Sequence, residues 1–377
     1  MSAVLRLPER IWKVTAAAAG ERLNTRASFQ PTRLVWSRGL ALMCDHNGGL
    51  AFVRRQRGGG RPPLRFAADA YAGIGDGDLV WVRVTALPQF VEEVLPNVDA
   101  RFALVTGDED WSIPSGFERA HEITGNPNVV CWFSQNSDDT DDGGKILPIP
   151  IGLDFHTISA RRRWGQWQAT PGQQEAELDE MRAQMPANAD RLVRAHADFH
   201  FNMRENEFRA ETRRTIEALL RTSPCVDFQE RKLPRLELWR EKTRYAFVIS
   251  PHGHGLDCHR TWESLALGNI VIVKRSPLDA LYEGLPVVIV DDWREITEHN
   301  LHRWHREHSG AFAREHVQER LTNRYWITRM RRIVDARTER GVIRAPFSTA
   351  ALPAARDHRV HAAPAQPLVE RRHIVLE

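Results

Sequence analysis

Cysteine is scarce in this chain: four residues in 377, Cys44, Cys131, Cys225 and Cys258, with no C-x-x-C pair. That spacing argues against a disulfide framework and a structural zinc site, and it fits a reducing compartment. Long apolar runs are missing as well. No window reaches the roughly 18–20 apolar residues of a membrane span. The opening MSAVLRLPERIWKVTAAAAGERLN has no run long enough for a signal peptide. A soluble, cytoplasmic protein is the expectation. Neither sign of charge is in excess: 52 Lys and Arg stand against 49 Asp and Glu, for a net charge of +3. Such a balance argues against nucleic acid as the main partner. No phosphate loop of the form G-x-x-x-x-G-K-[ST] occurs. GHGLDC puts Cys258 where a dinucleotide fingerprint needs its third glycine.

What is present is a series of short apolar runs. The length suits two domains at roughly 100–200 residues each. RLVWSRGLALMC and GLAFVRR flank DHNGG, and Asn47-Gly48 predicts a hairpin turn between them. RQRGGGRPP reads as a loop. DLVWVRV, RFALVTGDED, NVVCWFSQN and KILPIPIGLDFHT read as strands with short helices between them. Residues 161–190 form a polar connecting segment with a helix near Glu175–Gln184. A second series follows: a strand ending near Phe201, two helices, and strands at Tyr245–Ile249, Ile270–Val273 and Val287–Val290. These runs do not alternate, so each is expected to be buried on both faces of a parallel sheet. Helices follow to about Ala336, the last of them able to cross back to the first domain. The remaining Pro/Ala-rich stretch reads as a poorly ordered tail.

The stretch FVISPHGHGLDCHRTWESLALGNIVIVKRSP crowds polar groups between two buried strands. Ligands of parallel α/β sheets sit beyond the carboxyl ends of strands, so Ser250 to Cys258 is a candidate site loop. A helix is predicted from His259 to Leu267, with Asp257 as its N-cap and Gly268 as its stop. Gly253 and Gly255 would let backbone N–H groups approach a ligand, and the helix N-terminus suits phosphate. Arg260 offers a forked donor. Glu263, on the same face by i, i+3 spacing, offers an acceptor for sugar hydroxyls. Together they make a site for a sugar linked to phosphate; a Gly-rich turn with a solvated Arg–Glu pair is the structural alternative. His252, His254 and His259 lack the pattern of a zinc site.

From Tyr245 to Thr297 the order and spacing resemble the C-terminal signature of exostosin-type glycosyltransferases: apolar strand, Ser-Pro-x-Gly, Arg-x-x-Glu on a Leu-rich helix, Gly, apolar strand. Upstream, VTGDEDWSIP, WFSQN and PIPIGLDFHT are similar to segments that accompany it. The resemblance implies a GT-B-type fold, two Rossmann-like α/β domains facing a cleft, and a nucleotide diphosphate sugar, with UDP expected as the nucleotide. It implies transfer to a glycan or other hydroxyl acceptor with inversion, and a place in polysaccharide biosynthesis. Arg260 and Glu263 would belong to the donor site. Ser264 stands where Ala is common.

The expected organisation is an acceptor-side domain at 1–185, a donor domain at 186–312, helices at 313–344 and a tail at 345–377. The donor-site candidates are Ser250, Gly253, His254, Gly255, Asp257, His259, Arg260, Glu263 and Lys274. Asp108 or Asp110, in TGDEDW after a strand, is the candidate general base, with Asp154 and His156 as second candidates. Catalysis is expected to be metal-independent, because no D-x-D lies in the donor domain. Ser276 with Asp279 reads as a capping box, and Asp291-Asp292 as another cap. ARRRWGQW, residues 160–167, mixes Arg with Trp and could bind an anionic acceptor or nucleic acid; a solvated linker with aromatic anchors is the favoured reading. The alternative to an enzyme is a non-catalytic glycan- or nucleotide-binding module.

Overall fold

The computed structural model describes residues 31–48, 66–139, 144–200 and 212–338. The chain is α/β, with two parallel sheets. The first holds β1 (Leu79–Arg83), β2 (Phe102–Gly107), β3 (Val129–Ser134) and β4 (Ile146–Pro148), in the order β1-β2-β3-β4. The second holds β5 (Leu192–Ala197), β6 (Val226–Phe228), β7 (Tyr245–Ile249), β8 (Ile270–Lys274) and β9 (Val287–Val290), in the order β6-β5-β7-β8-β9. All neighbouring strands are parallel. The second order reverses between β5 and β7, and such a switch point opens a crevice beyond the strand ends.

The helices used below are α1 (Ser37–Leu42), α2 (Ala120–Gly125), α3 (His156–Ala160), α4 (Pro171–Gln184), α5 (Arg213–Leu220), α6 (Arg235–Lys242), α7 (His259–Ala266), α8 (Glu298–His308), α9 (Glu315–Arg320) and α10 (Asn323–Thr338). β1, β2, β3 and β7 are buried along their whole length, as continuous apolar runs predict. One core joins the sheets: Val105 and Phe133 of the first share it with Trp262 and Val271 of the second. Each sheet has its own core on the opposite face, one around Phe90 and Trp132, the other around Phe247 and Trp304. No helix among the described residues is long and apolar enough to cross a membrane.

The last helix returns to the first sheet. Arg331 pairs with Asp45 at 3.0 Å, and Arg337 donates to the carbonyls of Val130 and Gly144. At the start of α10, the Asn323 amide oxygen accepts from the Trp36 N–H. Trp326 of α10 also meets Trp262 of α7 edge to face, at 6.1 Å between centroids.

Three local expectations change. β9, expected to be buried on both faces, alternates instead: Val288 and Val290 are buried, Val287 and Ile289 only partly, because β9 is an edge strand. Residues 37–42, read as the first arm of a hairpin, are helical; the second arm lies outside the described residues. The cause is distant: Asn323 caps Trp36 and packs so closely on Gly39 that a Cβ there would sit 2.5 Å from its amide nitrogen. The N-cap of α7 is Cys258, and its side chain makes no capping bond. Asp257 instead turns into the interior between the sheets. The stop at Gly268 holds, with φ at +73°. The caps hold too: Asp279 accepts from the Ser276 N–H, and Asp292 with Glu295 forms a full capping box.

Candidate functional site

The carboxyl ends of the two sheets meet, and the joint is polar. After β3, the side-chain oxygen of Asn136 accepts from the Asp257 N–H at 2.8 Å. The Asp257 carboxylate accepts from the Ile151 N–H at 2.8 Å, and from the Trp262 indole and the Cys258 N–H. His259 Nδ1 bonds the Gly152 carbonyl at 2.7 Å, so that nitrogen carries the proton. Burial pushes the Asp257 carboxyl up to about 6, against the pull of these donors.

Just past β4, Asp154 is buried and His156 Nδ1 lies 3.0 Å from its carboxylate. Burial alone would raise the Asp154 pKa; His156, His259 and Arg235 outweigh it and hold the group well below the usual carboxylate range. Asp154 is therefore an acceptor. The His156 Nδ1 must donate to it; whenever the ring is uncharged, Nε2 then carries the lone pair. The His156 side chain is 25% exposed. Its ring centroid lies 5.4 Å from that of His259, across the joint. Asp154, His156 and His259 each offer a ligand atom within 4.8 Å of the others, a set that could also hold a divalent metal.

At the switch point of the second sheet, Asp198 follows β5. Its carboxylate lies 2.9 Å from Lys242 Nζ and 3.1 Å from Arg260 Nε. Burial raises its pKa, but Lys242 and then Arg260 dominate and push it far below the usual value. One carboxylate thus faces two cations, a local excess of one positive charge. Lys242 is buried at the end of α6; Arg260, in the first turn of α7, keeps a partly exposed edge and also reaches the Pro251 carbonyl.

The corresponding place in the first sheet is different. Asp108 follows β2 with φ at +64°. Its carboxylate lies 3.3 Å from Arg38 and 3.5 Å from Arg83, and Arg83 also pairs with Glu109. Two carboxylates meet two guanidiniums, so the net charge is zero. Burial raises the Asp108 pKa, and Arg38 and Arg83 more than reverse it. A carboxylate held in this way accepts a proton poorly. Asp110 is exposed.

The donor-site candidates divide. Arg260 and His259 reach the joint. Glu263 is close to them but pairs with Arg235, at 3.8 Å, and accepts from the Trp239 indole; it is not paired with Arg260. Ser250 is turned inward, with its hydroxyl 2.9 Å from that of Thr261. Asp257 is committed to the joint. The two glycines serve packing: Gly253 donates to the Gly255 carbonyl, and a Cβ on Gly255 would sit 2.5 Å from Asn136. The close approach that glycine permits there is to another part of this chain. His254 is exposed on the loop. Lys274, at the end of β8, lies near Asp291 and Asp292, where it adds to the larger pull of the Arg275 side chain on the first and of the Arg294 N–H on the second. Sequence reasoning missed Asp198 and Lys242; an Asp directly after a strand whose last three residues are buried was the available signal.

No protein-family model and no curated protein matches the sequence. Solved structures resemble its chain course. An α,α-trehalose-phosphate synthase (UDP-forming) from Burkholderia vietnamiensis matches at 11% identity over 72% of this chain and 76% of its own, with a TM-score of 0.37. The α,α-trehalose 6-phosphate synthase of Burkholderia multivorans matches at 11% over 74% and 76%, TM-score 0.36. An Escherichia coli structure described as bound with UDP-2-fluoro glucose matches at 11% over 83% and 86%, TM-score 0.30. At this identity and these TM-scores the likeness carries nothing about activity, substrate or residues.

Proposed function

We propose that the chain is a glycosyltransferase that moves a sugar from a nucleotide diphosphate sugar, with UDP as the expected nucleotide, to a hydroxyl acceptor. The observation that carries this reading is the charge at the switch point. Lys242 and Arg260 converge on the single carboxylate of Asp198, and the surplus cation lies one residue from His259, which faces His156. The exostosin-like signature from Tyr245 to Thr297 supports it.

In this reading the diphosphate lies against Arg260, whose guanidinium stabilises charge on the leaving group. The acceptor hydroxyl lies at His156. Its oxygen attacks the anomeric carbon as the bond from that carbon to the β-phosphate oxygen breaks. The bonding pair leaves with the diphosphate, and the hydroxyl proton passes to His156 Nε2. Asp154 holds the ring and stabilises the imidazolium that forms. A single displacement of this kind inverts the anomeric centre. Arg260 supplies the positive charge, so no metal is required.

The test is a panel of nucleotide sugars, scored for donor consumption with and without candidate acceptors. His156→Ala should lower turnover by roughly 10²–10⁴-fold, the usual contribution of a general base. UDP affinity, measured by calorimetry, should stay unchanged. A protein that binds no nucleotide and consumes no donor would refute the reading. Activity lost in EDTA and restored by Mn²⁺ would instead make Asp154, His156 and His259 a metal site.

A further inference from the structure

Between α3 and α4 the chain makes a tight turn that the function above does not use. Trp164 has φ at +50° and Gly165 at +72°, two successive left-handed residues. They close a pair of backbone hydrogen bonds between Arg163 and Gln166. A bulky residue rarely occupies that region, and such strain persists only where the surroundings impose it. Here they do. The Gln166 side chain donates to Glu177 of α4, the Trp164 carbonyl accepts from the Arg235 N–H at 2.9 Å, and Gly165 lies on Pro234. The turn is therefore held by α4 and by the start of α6.

What the turn presents is aromatic and cationic. Trp167 is 73% exposed and Trp164 39%, among the few large apolar side chains left in water. The guanidinium of Arg162 lies 4.2 Å from the centroid of the Trp167 ring, and that of Arg163 lies 6.0 Å from the Trp164 ring. Arg161, Arg162 and Arg163 are all exposed, and no carboxylate among the described residues pairs with them. In a chain whose charges nearly balance overall, three consecutive exposed guanidiniums are a local excess. The turn is also close to the reaction site: Arg235, which bonds Trp164, is the partner of Glu263 on α7.

We infer that the turn is the outer part of the acceptor site and that it binds an acidic saccharide chain. The apolar C–H face of a sugar ring stacks on an indole, and a ring carboxylate accepts from a guanidinium beside it. The Trp and Arg side chains here offer both contacts in alternation. The inference rests on the glycosyltransferase reading, which favours a saccharide over the other polymer that stacking and positive charge can hold, single-stranded nucleic acid.

The test uses the full chain and four probes: four-residue oligomers of galacturonate and of mannuronate, a neutral four-residue galactan, and oligo(U), each followed by calorimetry, with UDP titrated separately. At least one uronate oligomer should bind, and the neutral one more weakly. Trp167→Ala should weaken that uronate oligomer about tenfold, the upper range of a desolvated stacking contact. Replacing Arg161, Arg162 and Arg163 by Gln should flatten its salt dependence. UDP affinity should not change in either variant. These side chains are exposed, so the far-UV circular dichroism of both variants should match wild type. Failure of both uronate oligomers to bind, equal binding by Trp167→Ala, or tighter Trp167-dependent binding of oligo(U) would overturn the inference. UDP binding reports on the transferase reading separately.

Discussion

Beyond β2 the carboxylate of Asp108 sits between Arg38 and Arg83; beyond β5 that of Asp198 sits between Lys242 and Arg260. The two sites are built alike, from an aspartate one residue past a strand and two long cations. They differ in two ways. Glu109 makes the first cluster neutral, whereas the second keeps one positive charge. The second also lies at a reversal of strand order, which the described strands of the first sheet lack. An anion gains from a site that has both surplus charge and a crevice. The first cluster is better suited to holding the β2 turn in its left-handed conformation. A strand followed by Asp does not by itself mark a reactive carboxylate; the count of charges around it does.

The sharpest way to break this comparison is to remove each aspartate in turn. Asp198→Ala leaves Lys242 and Arg260 facing each other with Lys242 buried. Losing one partner of a buried pair costs about 3–5 kcal/mol, read from urea unfolding. Asp108→Ala should cost less, because Glu109 still holds Arg83. A larger loss for Asp108 would make the first cluster the more strained of the two.

Acidity separates Asp257 at the joint from both clusters. Asp108 and Asp198 have folded pKa values below their unfolded ones. Their contribution is present above the usual carboxylate value and is lost as pH falls beneath it. Asp257 has the opposite sign. With its pKa raised from 3.8 to about 6 by burial, the folded state holds the proton more tightly. Its contribution is full below about pH 4 and is lost as pH rises from about 4 to 6. Asp257→Asn should remove that slope, worth at most about 3 kcal/mol, in unfolding curves taken across this range. An unchanged slope would assign it to another group.

Smaller effects sharpen the assignment of the anion. Arg260→Ala should weaken UDP about 10–100-fold, as loss of a charge-assisted bond does, while Arg83→Ala should leave UDP affinity as it was. The reverse result would move the diphosphate to the first sheet. Smallest is Ser250→Ala. It should cost about 1 kcal/mol of stability, through the lost bond to Thr261, with no change in calorimetric UDP affinity. A fall in affinity would return Ser250 to the donor site.

Much of the second sheet was legible because its information is local. Tyr245–Ile249 and Val287–Val290 are short apolar runs between polar residues, and the strands keep those bounds. Gly268, Asp279 and Asp292 act within a few residues of themselves and could be read as stops and caps. The sequence also placed Arg260 beyond a strand end, where its guanidinium meets Asp198. What could not be read was pairing at a distance. Nothing near Asp257 says that Ile151 will claim its carboxylate, or near Gly255 that Asn136 will fill the space a side chain would need. Asp154 and His156 were visible as candidates two residues apart; only the burial of Asp154 and the approach of His259 raise them above Asp108 and Asp110. The helix at Ser37–Leu42 has the apolar composition of a strand, and a residue near the far end of the fold decides its conformation.

That long tie has a consequence for how the protein is made. The contact between Trp36 and Asn323 spans 287 residues. At ribosomal speeds of about 5–20 residues per second, Trp36 waits roughly 15–60 s for its partner to be synthesised. Until then α1 lacks the cap that favours it over an extended strand, and the side of the first sheet that α10 covers stands open to water. The second sheet, whose contacts close over shorter intervals, can form in the meantime. α1 is therefore translated before the second sheet and completed after it.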